Sequence, residues 1–258
     1  MSFEPTAFEI VTVACLSDNY AYLIHADGKT ALVDAPEAAP IAAELSARGW
    51  TLDEIWITHH HGDHIDGVAA LRQTFAPLVR GAASDQKRLP SLDAAMGDGE
   101  AFEFAGMAVQ VLDVSGHTQG HIAFYVPDAQ AAFTADSLMA FGCGRVFEGT
   151  MEQMWTSLSK IAALPGDTMI YSGHEYTMNN AKFAHTIEPE NQALQARVRK
   201  VAQMRENGEP TVPALLSEEL ETNPFLRAGL SPVKSALSME GAGDAEVFAE
   251  IRRRKDSF

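Results

Sequence analysis

The sequence predicts an α/β domain followed by a smaller, mainly helical domain. Up to about Tyr176, short runs of β-branched and apolar residues alternate with segments of helical spacing. Beyond that point the β-rich runs stop, and Leu194, Val198 and Val201 recur at helical spacing. A chain of 258 residues is long enough to hold both parts.

Strands are predicted where short apolar runs lie between turn signals such as Asp27-Gly28. In chain order these runs are Phe8–Ala14, Ala21–His25, Thr30–Asp34, Glu54–Thr58, Met107–Val114, Ile122–Val126, Ala131–Ala135 and Met169–Ser172. Helices are predicted at Ala38–Arg48, Val68–Phe75, Met151–Leu164 and Ala245–Lys255. Thr150 and Gln153 have the spacing of a capping box at the start of the third helix.

Composition and charge narrow the class of protein. The chain is 46% hydrophobic and 21% charged, which is typical of a soluble globular protein. Its net charge of −16 disfavours binding to nucleic acid or to an anionic membrane. Two cysteines, no long apolar run and no basic residue before Lys29 indicate a cytoplasmic protein without a secretory signal. Nothing in the sequence requires more than a monomer.

Four of the nine histidines lie in the short segment ITHHHGDHIDG. Side chains two residues apart in an extended chain point the same way, so His59, His61 and Asp63 can face one point. His64 follows at the turn into the next helix, and His60 faces elsewhere. Imidazoles with a carboxylate suit zinc, iron or manganese. The alternative interpretation is a polar loop with surface histidines.

Three other candidate ligands follow predicted strands. His117, Asp136 and His174 each come directly after, or within a short turn of, an apolar run. Strand ends can gather residues that are distant in sequence into one cleft. Residue 178 is a methionine, so His174-Glu175 does not belong to a helical HExxH zinc motif.

The segment THHHGDH resembles the T-H-x-H-x-D-H signature of the metallo-β-lactamase superfamily, and Asp34 matches a supporting acidic position of that family. Further segments resemble the glyoxalase II (hydroxyacylglutathione hydrolase) family: GHTQGH, FGCGRVFEGT, SGHEYTMNN, TNPFLR and the terminal RRRKDSF. The resemblance implies an αββα sandwich over residues 1–175 that carries catalysis. It also implies a helical domain over residues 176–258 that binds glutathione.

The same resemblance implies two divalent metal ions per chain, with zinc the first expectation and iron or manganese as alternatives. It assigns His59, His61 and His117 to one metal, and Asp63, His64 and His174 to the second. Asp136 bridges both metals together with a hydroxide that acts as the nucleophile, so Asp63 and Asp136 are the expected catalytic carboxylates.

The resemblance further implies hydrolysis of the thioester of S-D-lactoylglutathione and related 2-hydroxyacylglutathiones, the second step of methylglyoxal detoxification. The residues expected to bind the substrate are Arg145, Phe147, Tyr176, Arg252 and Lys255. Phe147 stands where other members carry tyrosine, so a hydroxyl contact is lost there. The cations of RRRK have a second interpretation, because positive charge also stabilises the C-terminal turn of a helix.

Several other functions fit the sequence less well. A glutathione persulfide dioxygenase has the same fold with one iron, but it lacks the full second ligand set that Asp63, His64 and His174 supply here. β-Lactamases often place cysteine at a second-metal position and lack the RRRK tail. A ribonuclease conflicts with the net charge of −16. A non-catalytic metal-binding module remains as a different class.

Overall fold

The computed structural model describes residues 8–258, so the N-terminal end of the segment used to predict the absence of a secretory signal lies outside the described residues. The chain divides into two compact units. Unit 1 runs to Asp113 and also includes Gly120–Phe133, whereas unit 2 comprises Val114–Gln119 and Thr134–Phe258. The predicted domain boundary after residue 175 lies within unit 2 and stays a prediction.

Unit 1 contains a six-stranded sheet in the order β1-β2-β3-β4-β5-β6 and four further strands in the order β10-β9-β8-β7. The first six strands are β1 (Phe8–Cys15), β2 (Asn19–Ala26), β3 (Lys29–Val33), β4 (Glu54–Trp56), β5 (Leu78–Ala82) and β6 (Ala94–Met96). The other four are β7 (Ala101–Phe104), β8 (Met107–Asp113), β9 (Ile122–Val126) and β10 (Ala131–Ala135), whose last two residues belong to unit 2.

The parallel part of the first sheet explains the helices of unit 1. Strands β3, β4 and β5 pair in parallel, and parallel neighbours need crossover connections, which are usually helical. These are α1 (Ala38–Arg48) between β3 and β4, and the short α2 (Gly62–Ile65) with α3 (Val68–Phe75) between β4 and β5. Gly49 ends α1 in the left-handed conformation with φ 68°, which suits glycine.

Aromatic side chains fill the core of unit 1. The fully buried Trp56 of β4 packs edge-on against Phe102 and Phe104 of β7, with ring centroids 5.2 and 5.4 Å apart. Its ring also lies 5.5 Å from that of Phe124 in β9. The core therefore lies between the first sheet and the four-strand set, and it anchors β4 at the point where the histidine segment begins.

Unit 2 combines short strands with six helices. Its strands are β11 (Leu138–Met139), β12 (Gly142–Cys143), β13 (Met169–Ser172) and β14 (Ala214–Leu215). Its helices are α4 (Met151–Ala162), α5 (Thr177–Ile187), α6 (Gln192–Glu206), α7 (Leu216–Thr222), α8 (Ser231–Ala236) and α9 (Asp244–Asp256). Strands β11 and β12 form a hairpin, and β13 lies between β14 and the end of β10. A buried cluster joins Phe141, next to β12, to α5 and α6.

The predicted strands and helices are present with small changes at their ends. The prediction that β-rich runs stop after Tyr176 is wrong for β14, which has two residues and pairs with β13. The capping box in front of α4 is half formed. Thr150 accepts a hydrogen bond from the backbone N–H of Gln153 at 3.1 Å, but the Gln153 side chain pairs with Gln119 instead. Among residues 8–258, no helix has the length and apolar content needed to cross a bilayer.

Candidate metal centre

The histidine segment begins where β4 leaves its sheet. Trp56 is the last residue of β4, and the backbone N–H of Thr58 then donates to the Asp34 carboxylate at 2.8 Å. Asp34 directly follows β3 and has φ 57°, an unusual conformation that turns its carboxylate to this edge of the sheet. Asp34, which follows β3, thus fixes the backbone that follows the neighbouring strand β4.

The Asp34 carboxylate also sets the orientation of His64. The hydroxyl of Thr58 donates to Asp34 at 2.8 Å, and Nδ1 of the buried His64 lies 2.8 Å from the same oxygen. A carboxylate only accepts, so the proton is on Nδ1 of His64 and the lone pair is on Nε2. The contact places Asp34 beside His64, and the supporting role of Asp34 stays a prediction.

His59 is fully buried and is oriented in a similar way. Its Nδ1 lies 3.0 Å from the Thr58 hydroxyl, whose own proton goes to Asp34, so Nδ1 of His59 donates. The ring stacks on His121 with centroids 4.5 Å apart and an angle of 11° between the planes. Nε2 of His59 lies 3.2 Å from Nδ1 of His61. Two ring nitrogens at this distance need a proton or a cation between them.

Asp63, in helix α2, is held by a residue of strand β2. Asn19, the first residue of β2, is 4% exposed, and its side-chain amide donates to both the backbone carbonyl and the carboxylate of Asp63, at 3.0 Å each. Oδ2 of Asp63 lies 3.7 Å from Nε2 of His64. His60 faces elsewhere, as predicted, with Nδ1 2.9 Å from Asp85.

Unit 2 brings its three predicted ligands together at strand ends. Nε2 of His117 and Nε2 of His174 lie 3.4 and 3.3 Å from the same carboxylate oxygen of Asp136, and all three residues are buried. Asp136 follows β10 and His174 follows β13, while His117 comes after β8. The backbone carbonyl of Arg145 lies 2.7 Å from Nδ1 of His117, so this ring also carries its proton on Nδ1.

Both units contain side chains of the types that hold divalent metal ions. In unit 1, Asp34, His59 and His64 lie close together, but the Asp34 oxygens accept from Thr58 and His64, so Asp34 orients the candidate ligands. His59, His64 and His117 all have an Nδ1 partner that directs the Nε2 lone pair away from the backbone. Neutral imidazoles and carboxylates are the ligands of zinc and of iron or manganese. Histidines oriented in this way are suited to bind zinc, iron or manganese.

The predicted substrate-binding residues all lie in unit 2. Phe147 is 60% exposed and Tyr176 is 41% exposed, and each ring contacts a predicted ligand. Phe147 meets His117 edge-on with centroids 5.3 Å apart, and Tyr176 stacks on His174 at 4.6 Å.

The three basic residues predicted to bind the substrate differ in exposure. The side chain of Arg145 is 52% exposed and donates to Asp256 at 3.2 Å. Arg252 is buried and donates to the Cys143 carbonyl at 2.9 Å and to Asp256 at 3.1 Å. Nζ of Lys255 lies 5.3 Å from the Phe183 ring, and burial lowers the pKa of Lys255 to about 8.

Two residues with contacts to the predicted site were not found from the sequence. Asn19 gives no local signal, because a lone asparagine before a strand is usually a turn residue. Asp256 lies next to the RRRK run, which could have indicated its pairing with Arg145 and Arg252. Burial raises the pKa of the Cys143 thiol to about 11, which disfavours a role for it as a nucleophile.

Two family profiles match the chain. The profile described as metallo-beta-lactamase superfamily matches residues 17–174. The profile described as hydroxyacylglutathione hydrolase C-terminus matches residues 175–258. Together they cover most of the chain.

Curated relatives match over nearly the whole length. The hydroxyacylglutathione hydrolase of Ruegeria pomeroyi is 64% identical over 97% of this chain and 99% of its own length. The protein of the same name from Methylococcus capsulatus is 50% identical over 97% of this chain and 98% of its own.

Solved structures confirm the predicted fold class. ETHE1 from Myxococcus xanthus matches with a TM-score of 0.67 at 23% identity, over 96% of this chain and 90% of that chain. The BLEG-1 B3 metallo-beta-lactamase gives a TM-score of 0.65 at 19% identity, over 85% and 99%. TTHA1623, solved in a di-iron-bound form, gives 0.62 at 23% identity, over 84% and 100%.

Proposed function

We propose that this chain, which belongs to the hydroxyacylglutathione hydrolase family of the metallo-β-lactamase superfamily, hydrolyses the thioester of S-D-lactoylglutathione to D-lactate and glutathione. Related 2-hydroxyacylglutathiones are substrates of the same site, and the reaction is the second step of methylglyoxal detoxification. The observation that carries the proposal is the full-length match to curated relatives of that name at 50–64% identity. Both family profiles match consecutive parts of the chain, which supports it further.

Seven residues hold two metal ions in this proposal. His59, His61 and His117 would hold the first, Asp63, His64 and His174 would hold the second, and Asp136 would be shared by both. The position of Asp136 supports this assignment, since one of its oxygens lies between Nε2 of His117 and Nε2 of His174. Zinc is the proposed metal, with iron and manganese as alternatives, because all three accept this ligand set.

Two divalent ions at this set would lower the pKa of a shared water to give the nucleophile and would stabilise charge on the thioester oxygen. The residues of the chain keep the ligands in place for this chemistry. Asp34 and Thr58 hold His59 and His64 in one tautomer, and the Arg145 carbonyl does the same for His117. The leaving thiolate of glutathione needs no general acid, because a free thiol has a pKa of about 8.5.

The substrate is bound through its glutathione part. Glutathione carries two carboxylates, and a chain with a net charge of −16 needs local cations to hold it. Arg145, Arg252 and Lys255 supply them, and Asp256 offsets one charge, so three positive and one negative group leave this cluster at +2. Phe147 and Tyr176 present exposed rings beside His117 and His174 for contact with the tripeptide. The helical residues 176–258 are the proposed substrate-binding domain, and Arg145 and Phe147 from the preceding part of the chain complete its contacts.

The proposed function includes the location, oligomeric state and partners of the enzyme. The enzyme acts in the cytoplasm as a monomer on a small-molecule thioester, and it binds neither nucleic acid nor membrane. The net charge of −16 supports the exclusion of nucleic acid.

The test is the rate of S-D-lactoylglutathione hydrolysis by purified protein before and after removal of metal by a chelator. We expect turnover that is lost with the metal and restored by zinc, with two metal ions per chain by mass spectrometry. Oxygen consumption with glutathione persulfide is the matched control and should be absent. Fully metallated protein that does not hydrolyse the thioester would overturn the proposal.

A further inference from the structure

Arg252, which the family resemblance makes a substrate-binding residue, lies in helix α9. The structure gives it surroundings unlike those of an exposed carboxylate receptor. Arg252 is 4% exposed, and its guanidinium carbon lies 5.1 Å from the centre of the buried Phe225 ring. Nη1 donates to the Cys143 carbonyl at 2.9 Å, while Nε and Nη2 lie 3.1 and 2.8 Å from Oδ1 of Asp256. Each nitrogen of the Arg252 guanidinium thus has a partner within unit 2.

The acceptor at Cys143 is one peptide unit away from a predicted metal ligand. The peptide between Cys143 and Gly144 accepts from Arg252 through its carbonyl. The N–H of the same peptide donates to the backbone carbonyl of Asp136 at 3.0 Å. A peptide with both ends bonded is fixed in orientation, and each bond polarises the other. Arg252 therefore acts on the backbone of Asp136 through a single peptide.

The segment that follows this peptide contacts His117. The Arg145 carbonyl lies 2.7 Å from Nδ1 of His117, and the N–H of Phe147 donates back to the His117 carbonyl at 3.2 Å. Residues 143–147, named here the ligand brace, thus contact both Asp136 and His117. The fit has little tolerance, because a Cβ added at Gly144 would lie 2.1 Å from the Asp136 carbonyl oxygen and 2.8 Å from Nδ1 of His117.

We propose that Arg252 is a positioning residue for the metal ligands Asp136 and His117, on which it acts through the ligand brace. This inference rests on the proposed function, since it takes these two residues to be ligands. Helix α9 then has a role besides substrate capture: it holds the brace from the side opposite the ligands. Removing the guanidinium leaves the Cys143–Gly144 peptide held only through its N–H, so Asp136 and His117 are held less firmly and the bound metal dissociates faster.

Arg145 offers a matched control. It carries the same charge and donates to the same carboxylate, Asp256, but its side chain is 52% exposed. Its contribution to His117 comes from the backbone carbonyl, which the Arg145→Ala variant keeps. Both alanine variants lose one positive charge, but only Arg252→Ala also loses the hydrogen bond to the ligand brace.

The experiment compares metal release from Arg252→Ala, Arg145→Ala and the parent enzyme, each loaded with zinc and challenged with a chromogenic chelator. Removal of groups that orient metal ligands typically costs about 10- to 100-fold in metal affinity. We expect release from Arg252→Ala at least about 10-fold faster than from the parent, at the lower end of that range. Arg145→Ala should release zinc at the parental rate and show only a higher KM.

The Arg252→Met variant covers the case in which Arg252→Ala does not fold, because its apolar stem keeps the packing against Phe225. Circular dichroism of the metal-free proteins checks that all variants are folded. Parental release rates in the folded Arg252 variants, with only KM raised, would assign Arg252 to substrate capture alone. Equally fast release from Arg145→Ala would also overturn the inference. Parent enzyme that binds no zinc would instead contradict the proposed function.

Discussion

At the scale of single residues, Asn19 shows how a site depends on side chains that do not touch the reacting atoms. Its amide donates to the carbonyl and to the carboxylate of Asp63 at 3.0 Å each, so both the backbone and the side chain of that residue are fixed. A carboxylate ligand is usually held by hydrogen bonds of this kind. Asn19 thereby links the start of β2 to a proposed ligand of the second metal.

The Asn19→Ala variant tests this link. We expect it to weaken zinc binding about 10-fold, because the Asp63 carboxylate gains rotational freedom that binding must then remove. Competition with a chelator of known affinity measures the change. Thr30→Ala is a matched control, since Thr30 is also a buried polar residue of the same sheet but its hydroxyl lies 2.9 Å from His25. Equal zinc affinity in Asn19→Ala and Thr30→Ala would contradict the link.

Lys255 predicts a pH dependence of substrate binding. Burial is the main cause that lowers its pKa from 10.5 to about 8, and the nearby Arg252 adds to the shift. The ammonium is therefore present below about pH 8 and is lost as the pH rises through that value. Because kcat/KM reports groups of the free enzyme, it should fall above about pH 8 through a rise in KM.

The Lys255→Arg variant is the control for this pH dependence. A guanidinium stays charged up to a pKa above about 12, so the alkaline fall in kcat/KM should move upward or disappear. Profiles of both enzymes between pH 6 and about 10 make the comparison. An unchanged alkaline limb in Lys255→Arg would assign the limb to a different group.

At the scale of secondary-structure elements, local sequence patterns predict the candidate ligands but not the residues that hold them. Long apolar runs predicted β8, β10 and β13, and the candidate ligands after them were found because they follow those runs. Strands β6 and β14, of three and two residues, have no pattern of their own and exist because neighbouring strands pair with them. Contacts between distant residues are equally hidden: Arg145 and Asp256 are 111 positions apart.

The N-terminus of helix α4 allows the contribution of each capping residue to protein stability to be measured. Thr150→Ala removes the side-chain bond to the N–H of Gln153 and should destabilise the protein by about 1 kcal/mol. Gln153→Ala should change stability by less than about 0.5 kcal/mol, because its side chain pairs with Gln119 at the surface and does not return to Thr150. Denaturant unfolding at fixed zinc concentration measures both. A larger effect for Gln153→Ala would show that the full capping box forms in solution.

At the scale of the whole molecule, the net charge of −16 opposes the charge of the substrate. Two carboxylates and one ammonium leave the glutathione part at −1 near neutral pH. The cluster of Arg145, Arg252, Lys255 and Asp256 attracts it at contact distance, with a charge of +2. The field of the other charges acts over a longer range and repels it. Salt therefore screens the long-range repulsion more strongly than the attraction at contact distance.

This difference predicts an unusual response to ionic strength. The Debye length falls from about 30 Å at 0.01 M to about 8 Å at 0.15 M, so added salt removes the long-range repulsion before it weakens charge pairs in contact. We expect kcat/KM for S-D-lactoylglutathione to rise a few-fold over this interval, whereas kcat changes little. Titrations with sodium chloride and potassium chloride separate screening from binding of a particular cation. A steady fall of kcat/KM from the lowest salt concentration would mean that the local cations, and not the net charge, govern the approach of the substrate.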